Sequence, residues 1–393
     1  MRRCTAFTLW ALAALGTASV LVGLGCDGGE SSPAGLAARP TLKVGHVGHD
    51  HQLALYVAAL EGERFKKDFA LYLKEVKANE VYDLVDGART LARLNFIKVG
   101  GGSRMPAAMS RGEIEVGLGG VVPVAKFADE GQPFKILCPL QTDGDMLVMQ
   151  KDSPVTDWAS FVQAARSGEK RIQIGYKAPV AIAKMVFERA LVAEGIAYGY
   201  DATDAKARVI LVNFGSEASP IPMMETRAID GFVMNQPAVA VAVDKGLGKV
   251  VSELRDLPPK GKWVNHPCCC ICATRPTLQA HRDAVKGLLK VILLATQLIN
   301  TNQDLAIDCA TRWTKYDLAV EKASVPTITY LAEPTDSWVT GMKTWAEMAG
   351  DVKLFTGKYA NASPDAFVDD LLDLTLIREA ARELRERGLL KAS

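Results

Sequence analysis

The chain has little excess charge and few histidines, aromatic residues or cysteines for its 393 residues. It holds 46 Lys and Arg against 45 Asp and Glu, so its net charge of +1 creates no basic field for general nucleic-acid binding. Eight cysteines are too sparse for a disulfide-stapled scaffold, although four lie within residues 268–272. With 49% apolar and 23% charged residues, the composition is that of a globular protein long enough for more than one domain.

The sequence also lacks the short motifs of common hydrolases and nucleotide-binding enzymes. No G-x-S-x-G, H-E-x-x-H or G-x-x-x-x-G-K-[ST] string occurs. Asp143 and Asp145 could pair as general acid and base, but an Asp-Gly-Asp string is more typical of a turn. We therefore predict that the chain is not an enzyme.

The first residues are typical of an export signal. A basic start, an apolar run and small residues lead to Cys26. The Leu24-Gly25-Cys26 ending resembles a lipobox, so we predict a signal peptide over residues 1–25 and a membrane anchor on a diacylated Cys26. Gly, Ser and Pro in residues 26–40 predict a flexible linker. An uncleaved anchor helix is the alternative, because the apolar run is nearly long enough to cross a bilayer.

Strands and helices alternate through the body of the chain. Short apolar runs followed by Gly or polar residues predict strands, for example at Leu42–Gly48, Val116–Gly119 and Val209–Asn213. Helical periodicity between such strands, as over Ala178–Glu194, indicates an α/β fold with a parallel sheet. After Arg282 the pattern becomes mostly helical, which predicts a helical C-terminal region.

One segment of the chain recurs with a constant offset of 115 residues. The string that begins Arg111-Gly-Glu-Ile-Glu matches the string that begins Thr226-Arg-Ala-Ile-Asp, and the same offset relates Gly100 to Gly215. A repeat of this length predicts a duplicated α/β lobe, not a solenoid unit. Two similar lobes in an exported chain indicate a hinged pair with a ligand cleft between them.

The order of these motifs resembles that of periplasmic substrate-binding proteins of ABC importers. The lipobox-like ending, the GEIEVGL and AIDGFV segments and the apolar helix after CATRPTLQ are similar to the nitrate/sulfonate/taurine and thiamine-pyrimidine group, over about residues 41–320. The resemblance implies a two-lobe clamshell of the type II periplasmic-binding-protein class, here with an extra helical C-terminal region. Lobe 1 would comprise residues 41–148 and 263–393, and lobe 2 residues 149–262. A small-molecule ligand and partner permease and ATPase subunits are also implied.

The loops that follow the strands are the expected ligand-binding segments. In open α/β sheets, ligands bind beyond the carboxyl ends of strands, where glycines expose backbone N–H groups and helix N-termini favour anions. Lys177 could add charge there and Tyr176 a stacking face, although a plain tight turn is the alternative for each Gly cluster. From these loops and the histidine and cysteine segments, the predicted ligand-binding residues are His49, Asp50, His51, Gly101, Ser103, Gly119, Gly120, Tyr176, Lys177, Ser216, Asn235, Gln236, His266, Cys268 and Cys270.

Histidine and cysteine are concentrated in two segments. Three of the five histidines lie in residues 46–51, and a fourth, His266, precedes the cysteine run of residues 268–272. Alternate residues of a strand share a face, which predicts that His266 and the even-numbered cysteines point one way and Cys269 the other. That face spans ~20 Å, so at most two neighbours on it could share one ion. The candidate metal ligands are His49, His51, His266, Cys268, Cys270 and Cys272.

Three interpretations of the cysteine run stay open from the residues alone. It could bind iron or zinc together with the histidines, it could form a disulfide, for example with Cys138 or Cys309, or its thiols could simply be buried or line the ligand site. The run also resembles the CCCFC motif of the thiamine-pyrimidine synthase, in which the motif is associated with iron. That synthase carries Gly-Leu-Lys-x-x-x-His, whereas here Gly119 replaces the lysine and Pro123 the histidine. This departure argues against synthase chemistry.

The function predicted from the sequence is that of an extracytoplasmic, lipid-anchored, solute-binding component of an ABC importer. Closure of the lobes would trap a small molecule between them. A small oxyanion or sulfonate suits the Gly-rich loops, a pyrimidine-like compound suits Tyr176, and a metal complex suits the histidines and cysteines. A metal-dependent synthase-like enzyme and a surface sensor with a signalling partner are the alternatives.

Overall fold

The structure, a computed structural model, describes residues 39–168, 170–216 and 218–391. The predicted signal peptide, Cys26 and most of the predicted linker lie outside these residues. The strands are Thr41–His46 (β1), Leu71–Lys77 (β2), Val81–Asp86 (β3), Arg89–Lys98 (β4), Val116–Gly120 (β5), Phe134–Asp143 (β6), Asp145–Gln150 (β7), Ile172–Tyr176 (β8), Tyr198–Gly199 (β9), Val209–Asn213 (β10), Gly231–Asn235 (β11), Gly248–Glu253 (β12), Pro267–Thr274 (β13) and Ile328–Tyr330 (β14). The helices are Leu53–Leu60 (α1), Gly62–Phe69 (α2), Met105–Ser110 (α3), Val121–Asp129 (α4), Trp158–Ser167 (α5), Ile182–Ala193 (α6), Pro220–Glu225 (α7), Ala238–Asp244 (α8), Arg275–Ala280 (α9), Arg282–Thr301 (α10), Gln303–Thr314 (α11), Leu318–Ser324 (α12), Asp336–Asp351 (α13), Pro364–Leu371 (α14) and Thr375–Glu386 (α15).

The strands form two mixed sheets. The first has eight strands in the order β14-β6-β13-β5-β1-β4-β3-β2, and the second has six in the order β12-β7-β11-β8-β10-β9. In the first sheet β1 is parallel to β4 and β5, while β13 lies antiparallel between β5 and β6. Every residue of β5 is buried, as expected for a central strand covered on both faces. The cysteine-rich β13 is therefore an interior strand of the first sheet.

The chain passes from the first sheet to the second at Gly144, between β6 and β7. Asp143 and Gly144 adopt positive φ angles of 62° and 78°. The Asp-Gly-Asp string supplies the last residue of β6, one linking glycine and the first residue of β7, in place of the predicted turn. A side chain at Gly144 could not be accommodated, because its Cβ would lie 2.8 Å from His51 Nε2. The chain thus passes from the first sheet to the second a few residues before the predicted lobe boundary at residue 148. That boundary stays a prediction.

The internal repeat corresponds to equivalent elements of the two sheets. α3 and α7 begin and end with the offset of 115 residues, and so do β5 and β11. The ends of β4 and β10, Lys98 and Asn213, are related in the same way. The repeat predicted from the sequence is therefore present in the fold.

Several predicted elements have different limits in the structure. The sequence pattern of Leu53–Phe65 predicts one helix, but the structure interrupts it at Glu61, so α1 and α2 replace it. The pattern of Asp365–Arg387 likewise predicts one helix, but α14 ends at Leu371, because Leu372 bridges to Ile136 of β6 before α15 begins. Strand β3 was not predicted from the sequence; it pairs antiparallel with β2 and β4 in a meander.

The helical C-terminal region packs on the first sheet. Among the described helices, α10 is the one long and apolar enough to cross a membrane, but 78% of its apolar window is buried, which identifies it as a core helix. Asp129, at the end of α4, fixes the loop before α14. Its carboxylate accepts backbone N–H bonds from Thr356, Gly357 and Tyr359 at 2.9, 2.9 and 2.8 Å. These bonds satisfy the backbone donors of a segment that has no sheet or helix partner of its own.

Candidate functional site

A small cavity lies between the two sheets, and elements of both contribute to its wall. Seven predicted ligand-binding residues line it: His49, His51, Ser103, Gly120, Lys177, Asn235 and Cys268. Gly120 and Asn235 occupy equivalent positions of the repeat, 115 residues apart. Water-sized space inside the cavity amounts to about 30 Å³, enough for a few waters or a small ion. A larger solute can enter only if the walls move apart.

Two helices begin at this cavity, one from each side. Gly120 precedes α4, which follows the first sheet's β5, and Ala181 precedes α6, which follows the second sheet's β8. Both preceding residues and Ala183 in the first turn of α6 line the cavity. The first N–H groups of a helix have no partner inside the helix, and its dipole favours negative charge at this end. The cavity therefore presents two anion-favouring helix termini.

Gln52 holds the loop that carries His49 and His51 against the first sheet. Its side-chain oxygen accepts the Val47 N–H at 2.7 Å, and its amide nitrogen donates to the Leu118 carbonyl of β5 at 2.7 Å. The side chain of Gln52 is fully buried. A buried amide that pairs with both of these backbone groups fixes the loop relative to β5. The positions of the two imidazoles are fixed with it.

The hydrogen-bond partners of His51 determine its tautomer. Nε2 lies 3.3 Å from the Gly144 carbonyl, which can only accept, so Nε2 carries the ring hydrogen in the neutral imidazole. Nδ1 is then an acceptor, and the Gln141 amide and the thiol of Cys268, with Sγ at 3.5 Å, both contact it. His51 is fully buried among these groups.

The predicted alternation of the cysteines is wrong at Cys269. The pairing of β13 with β6 shifts between Pro267 and Cys269 and again between Cys269 and Cys270, which indicates bulges. A bulge re-aims side chains, and here both Cys268 and Cys269 line the cavity, with their sulfur atoms 4.0 Å apart. Simple strand parity could not foresee this.

The two thiols influence one another's protonation. The contact between the two thiols lowers the pKa of Cys269 to about 6, and the nearby His51 and Lys177 act in the same direction against the effect of burial. The same contact, together with burial, raises the pKa of Cys268 well above its ordinary value. The pKa values of the two neighbouring thiols are therefore shifted in opposite directions.

Cys270 and Cys272 lie away from the cavity wall. The thiol of Cys270 donates to the Gly119 carbonyl at 3.5 Å, and that of Cys272 to the Gly117 carbonyl at 3.4 Å. Both side chains are completely buried. Cys270 and Cys272 pair with Gly119 and Gly117 of β5, so they share one face as predicted, but they do not line the cavity. Among the described residues, Cys138 and Cys309 are also free thiols, so neither of the suggested disulfides is formed in the structure.

His266 reaches the cavity only through Asp145. Its Nε2 lies 3.3 Å from Asp145 Oδ2, and its Nδ1 lies 2.8 Å from the Trp263 carbonyl. Burial raises the pKa of Asp145, but the His266 hydrogen bond and the nearby His51 and Lys177 outweigh it and lower the pKa. Burial lowers the pKa of His266, yet the carboxylates of Asp145 and Asp143 outweigh that effect and raise it. An ionised carboxylate, Asp145, thus lines the cavity.

The positive group of the cavity comes from the second sheet. Lys177 Nζ lies 2.5 Å from Asn235 Oδ1, and both residues line the cavity. Lys177 follows β8 and Asn235 ends β11, and these neighbouring strands are parallel, so both residues lie at one sheet edge. Both residues therefore contribute to one cavity wall, and their role in ligand binding stays a prediction.

The other predicted ligand-binding residues do not line this cavity. Asp50 points towards the C-terminal region, where the Ser324 hydroxyl donates to its carboxylate. The ring of Tyr176 packs against Lys184 and Tyr200, so it offers no stacking face here. The remaining residues outside the wall are Gly101, Gly119, Ser216, Gln236, His266 and Cys270. Of these, Ser216 lines a neighbouring groove that shares His49 and Asn235 with the cavity.

Sequence reasoning missed several residues of the wall. These are Gly102, Pro123, Asp145, residues 180–183, Val233, Met234 and Cys269. Gly102 lies between the predicted residues Gly101 and Ser103, and residues 180–183 run from the loop after β8 into the first turn of α6, so a wider range after each strand end would have included them. For Asp145 the sequence favours a turn over an acid–base pair with Asp143, and no sequence signal places it in a cavity wall.

A hydrogen bond closes the cleft outside the cavity. Arg104, at the start of α3, donates to the Gly215 carbonyl at 3.1 Å. Gly215 follows β10 of the second sheet, so this bond joins loops that belong to different sheets. The structure therefore represents a closed arrangement of the two sheets.

Two mixed sheets with a small cavity between them at their strand ends, followed by a helical C-terminal region, define the fold of periplasmic binding proteins, and the predicted fold class is confirmed. The chain belongs to the NMT1-like family, whose profile matches residues 37–313. It is also 31% identical over 144 residues to the uncharacterized protein MJ1180 of Methanocaldococcus jannaschii, an alignment that covers 36% of this chain and 96% of that protein.

Solved structures of the same fold include binding proteins of several solutes. The ligand-binding component of an ABC-type import system from Staphylococcus aureus, with zinc bound, has a TM-score of 0.67 at 15% identity, over 88% of this chain and all (100%) of that one. The nitrate-binding protein NrtA from Synechocystis PCC 6803 has a TM-score of 0.65 at 16% identity, over 91% and 92% of the two chains. The alkanesulfonate-binding protein SsuA from Xanthomonas axonopodis pv. citri, bound to MOPS, has 0.61 at 14%, over 86% and 99%. At these identities the comparisons establish the fold.

Proposed function

We propose that this protein is the solute-binding component of an ABC-type importer and works on the outer side of the cell membrane. One observation carries the proposal: equivalent positions of the two repeats, Gly120 and Asn235, line one closed cavity between the sheets. A nitrate-binding protein, an alkanesulfonate-binding protein and the ligand-binding component of an ABC-type import system share the fold. A lipid anchor on Cys26 would keep the protein beside its permease and ATPase partners.

The cycle would consist of opening, capture and closure. The cavity in its closed form is too small for entry of a solute, so the Arg104 bond to the Gly215 carbonyl must break for the cleft to open. A bound solute contacts both walls only when they approach, so binding favours the closed arrangement. The closed form would then dock on the permease.

The wall of the cavity offers an anionic solute two helix N-termini and one cation, and it holds Asp145 as one opposing carboxylate. The first turns of α4 and α6 have no side-chain cap, and Lys177 supplies the positive charge. A pyrimidine-like solute would have relied on Tyr176 for stacking, but that ring packs against Lys184. A nitrate- or sulfonate-like oxyanion is therefore our first candidate.

Thermal unfolding with a small panel of compounds tests this function. We expect nitrate or ethanesulfonate, but not an aminopyrimidine, to raise the melting temperature of the wild-type protein. Lys177→Gln should abolish the rise, whereas Lys206→Gln, at an exposed position of the same lobe, should leave it intact. If an aminopyrimidine alone stabilises the protein, the solute class is wrong; if neither these compounds nor a low-molecular-weight extract of the source organism does, the binding function is wrong.

We also propose that the protein does not transform its solute. Gly119 and Pro123 stand where the similar synthase carries its lysine and histidine, and the relatives of known structure named above are binding proteins. A solute recovered chemically unchanged after prolonged incubation supports this, and a new product that accumulates with time contradicts it.

A soft metal ion is a second candidate ligand, favoured by one group of side chains. A ligand atom from each of His51, Cys268 and Cys269 lies within 4.8 Å of the others, and all three residues are buried. One imidazole nitrogen and two thiolate sulfurs are a donor set that suits zinc or ferrous iron. These residues would hold the ion, and a fourth ligand would come from the solute or from water.

Zinc binding tests this second candidate. We expect Cys269→Ser to weaken zinc binding by at least ~100-fold, because it removes a coordinating thiolate. Cys309→Ser removes a buried thiol elsewhere, beside Glu61, and should leave zinc binding unchanged. Competition with a chelating dye and elemental analysis measure both. Equal affinities for the wild type and Cys269→Ser would exclude a metal site at this group.

A further inference from the structure

Two consecutive thiols share one side of β13, although consecutive strand residues normally face opposite sides. The register shifts around Cys269 place its Sγ 4.0 Å from that of Cys268. Both side chains line the cavity, and they are 5% and 4% exposed. They differ in this from Cys270 and Cys272, whose thiols contact the carbonyls of β5.

We propose that Cys268 and Cys269 form a reversible disulfide with one another, which makes the wall of the cavity a covalent modification site. The oxidant is a low-molecular-weight or protein disulfide, a class present in oxidising extracytoplasmic compartments. This inference goes beyond the proposed function, because it requires the cavity and its thiols but no particular solute.

The thiol–disulfide exchange between the oxidant and the two cysteines takes place in two steps, in which atoms and electrons balance. The thiolate of Cys269 attacks one sulfur of the oxidant, forms a mixed disulfide and releases the first thiolate of the oxidant. Cys268 then loses its proton, attacks the Cys269 sulfur, closes the Cys268–Cys269 bond and releases the second thiolate. The protein loses two electrons and two protons, and the oxidant gains two electrons as its bond is reduced to two thiols.

His51 holds Cys268 beside its neighbour. Its Nδ1 lies 3.5 Å from Cys268 Sγ, and its Nε2 lies 3.3 Å from the Gly144 carbonyl. The Gln141 amide also contacts Nδ1, so the imidazole is fixed from three sides while Cys268 Sγ lies 4.0 Å from that of Cys269. The proton of Cys268 passes to the thiolate that the oxidant releases in the first step.

The bond between neighbouring residues is expected to be easily reduced. Consecutive Cα atoms lie about 3.8 Å apart, below the usual separation of ~4.4–6.8 Å for bridged cysteines. A bridge outside the usual geometry is strained, and strained disulfides are the labile ones. We therefore expect a mild dithiol to reverse the modification in the folded protein.

Access to the pair runs through the cavity, so oxidation requires an open cleft. Cys268 contacts His51, and both thiols and this imidazole line the cavity. Oxidation converts two thiol groups of the wall into one disulfide, which cannot donate hydrogen bonds and no longer provides thiolate ligands. The oxidised protein should thus lose any zinc binding at His51 and the two cysteines.

Intact-mass measurement and peptide mapping test the proposal on the reduced, full-length protein. After incubation with cystamine, we expect a loss of two hydrogens, mapped by fragmentation to a Cys268–Cys269 link and reversed by dithiothreitol without unfolding. Cys268→Ser should stop at a stable mixed disulfide on Cys269, and Cys309→Ser should behave as the wild type. Circular dichroism of each variant confirms that it is folded.

Each possible result of this experiment either supports or overturns the disulfide proposal. Free thiols at both positions after cystamine treatment, or a link that involves Cys138, Cys270 or Cys272, would overturn the proposal. So would an unchanged reaction in Cys268→Ser. None of these results depends on whether a solute binds, so failure of the disulfide and failure of the proposed transport function are separate findings.

Discussion

Replacement of Ala183 by Trp is expected to hold the cleft open and to remove solute binding. Ala183 lies in the first turn of α6, is 4% exposed and lines a cavity with room for only a few waters. An indole cannot fit there while the Arg104 bond to the Gly215 carbonyl is formed. We expect solution scattering to give a larger radius of gyration and solute affinity to fall by at least ~100-fold, or about 3 kcal/mol.

The same helix offers a matched control. Ala193 is the last residue of α6 and is exposed, so Ala193→Trp adds the same side chain away from the cavity. We expect its scattering curve and its affinity to equal those of the wild type. If Ala183→Trp binds solute as tightly as Ala193→Trp does, the cavity between the sheets is not the binding site.

Asp129→Asn is expected to destabilise the fold by about 2–4 kcal/mol at neutral pH. The carboxylate is buried and accepts three backbone N–H bonds from residues 356–359, and Lys126 lies 3.7 Å away. Hydrogen bonds to a charged acceptor are worth more than neutral ones, and the amide would direct a donor at one or more of these N–H groups. The free energy of unfolding in urea measures the loss.

The contribution of Asp129 should also depend on pH. Burial raises its pKa, but the three N–H bonds and Lys126 outweigh that effect, so the pKa lies below its ordinary value. A lowered pKa gives stability that is present above the unfolded value of about 3.9 and is lost as the pH falls through the folded value. The wild type should therefore lose more stability than Asp129→Asn as the pH falls from neutral into this acid range.

The internal repeat supplies the control for this substitution. Asp244 stands 115 residues after Asp129 at the equivalent position of the second copy and is exposed. Asp244→Asn should change the unfolding free energy by no more than ~0.5 kcal/mol at any pH. A loss of similar size in both variants would show that the bonds of Asp129 to residues 356–359 are not its stabilising feature.

The general architecture was predictable because it depends on patterns that extend over many residues. Apolar strand runs separated by helical segments indicated the α/β fold, and the offset of 115 residues correctly paired α3 with α7 and β5 with β11. Strand β3 escaped prediction because the weakly alternating residues 81–98 form a meander, and their turns carry little beyond Gly87 to mark them. The break between α14 and α15 depends on a tertiary contact with β6.

The candidate site was predictable only where position along the chain determines it. Gly120, Lys177 and Asn235 follow strand ends, and the topological rule for parallel sheets placed them at the cavity. The direction of Cys269 depends on bulges in the pairing of β13 with β6, which no local pattern shows. Tyr176 was assigned to the cavity from its position, but Lys184 and Tyr200 hold its ring elsewhere.

Native mass spectrometry is the most direct measurement of whether the two sheets enclose a transported solute. The protein would be isolated from its source organism, freed of small molecules by partial unfolding and dialysis, and then exposed to the organism's low-molecular-weight extract. The account predicts that one small molecule binds per chain, leaves chemically unchanged and is absent from Ala183→Trp. The account would be contradicted if the wild-type protein took up no small molecule, or if Ala183→Trp bound it as well as the wild type does.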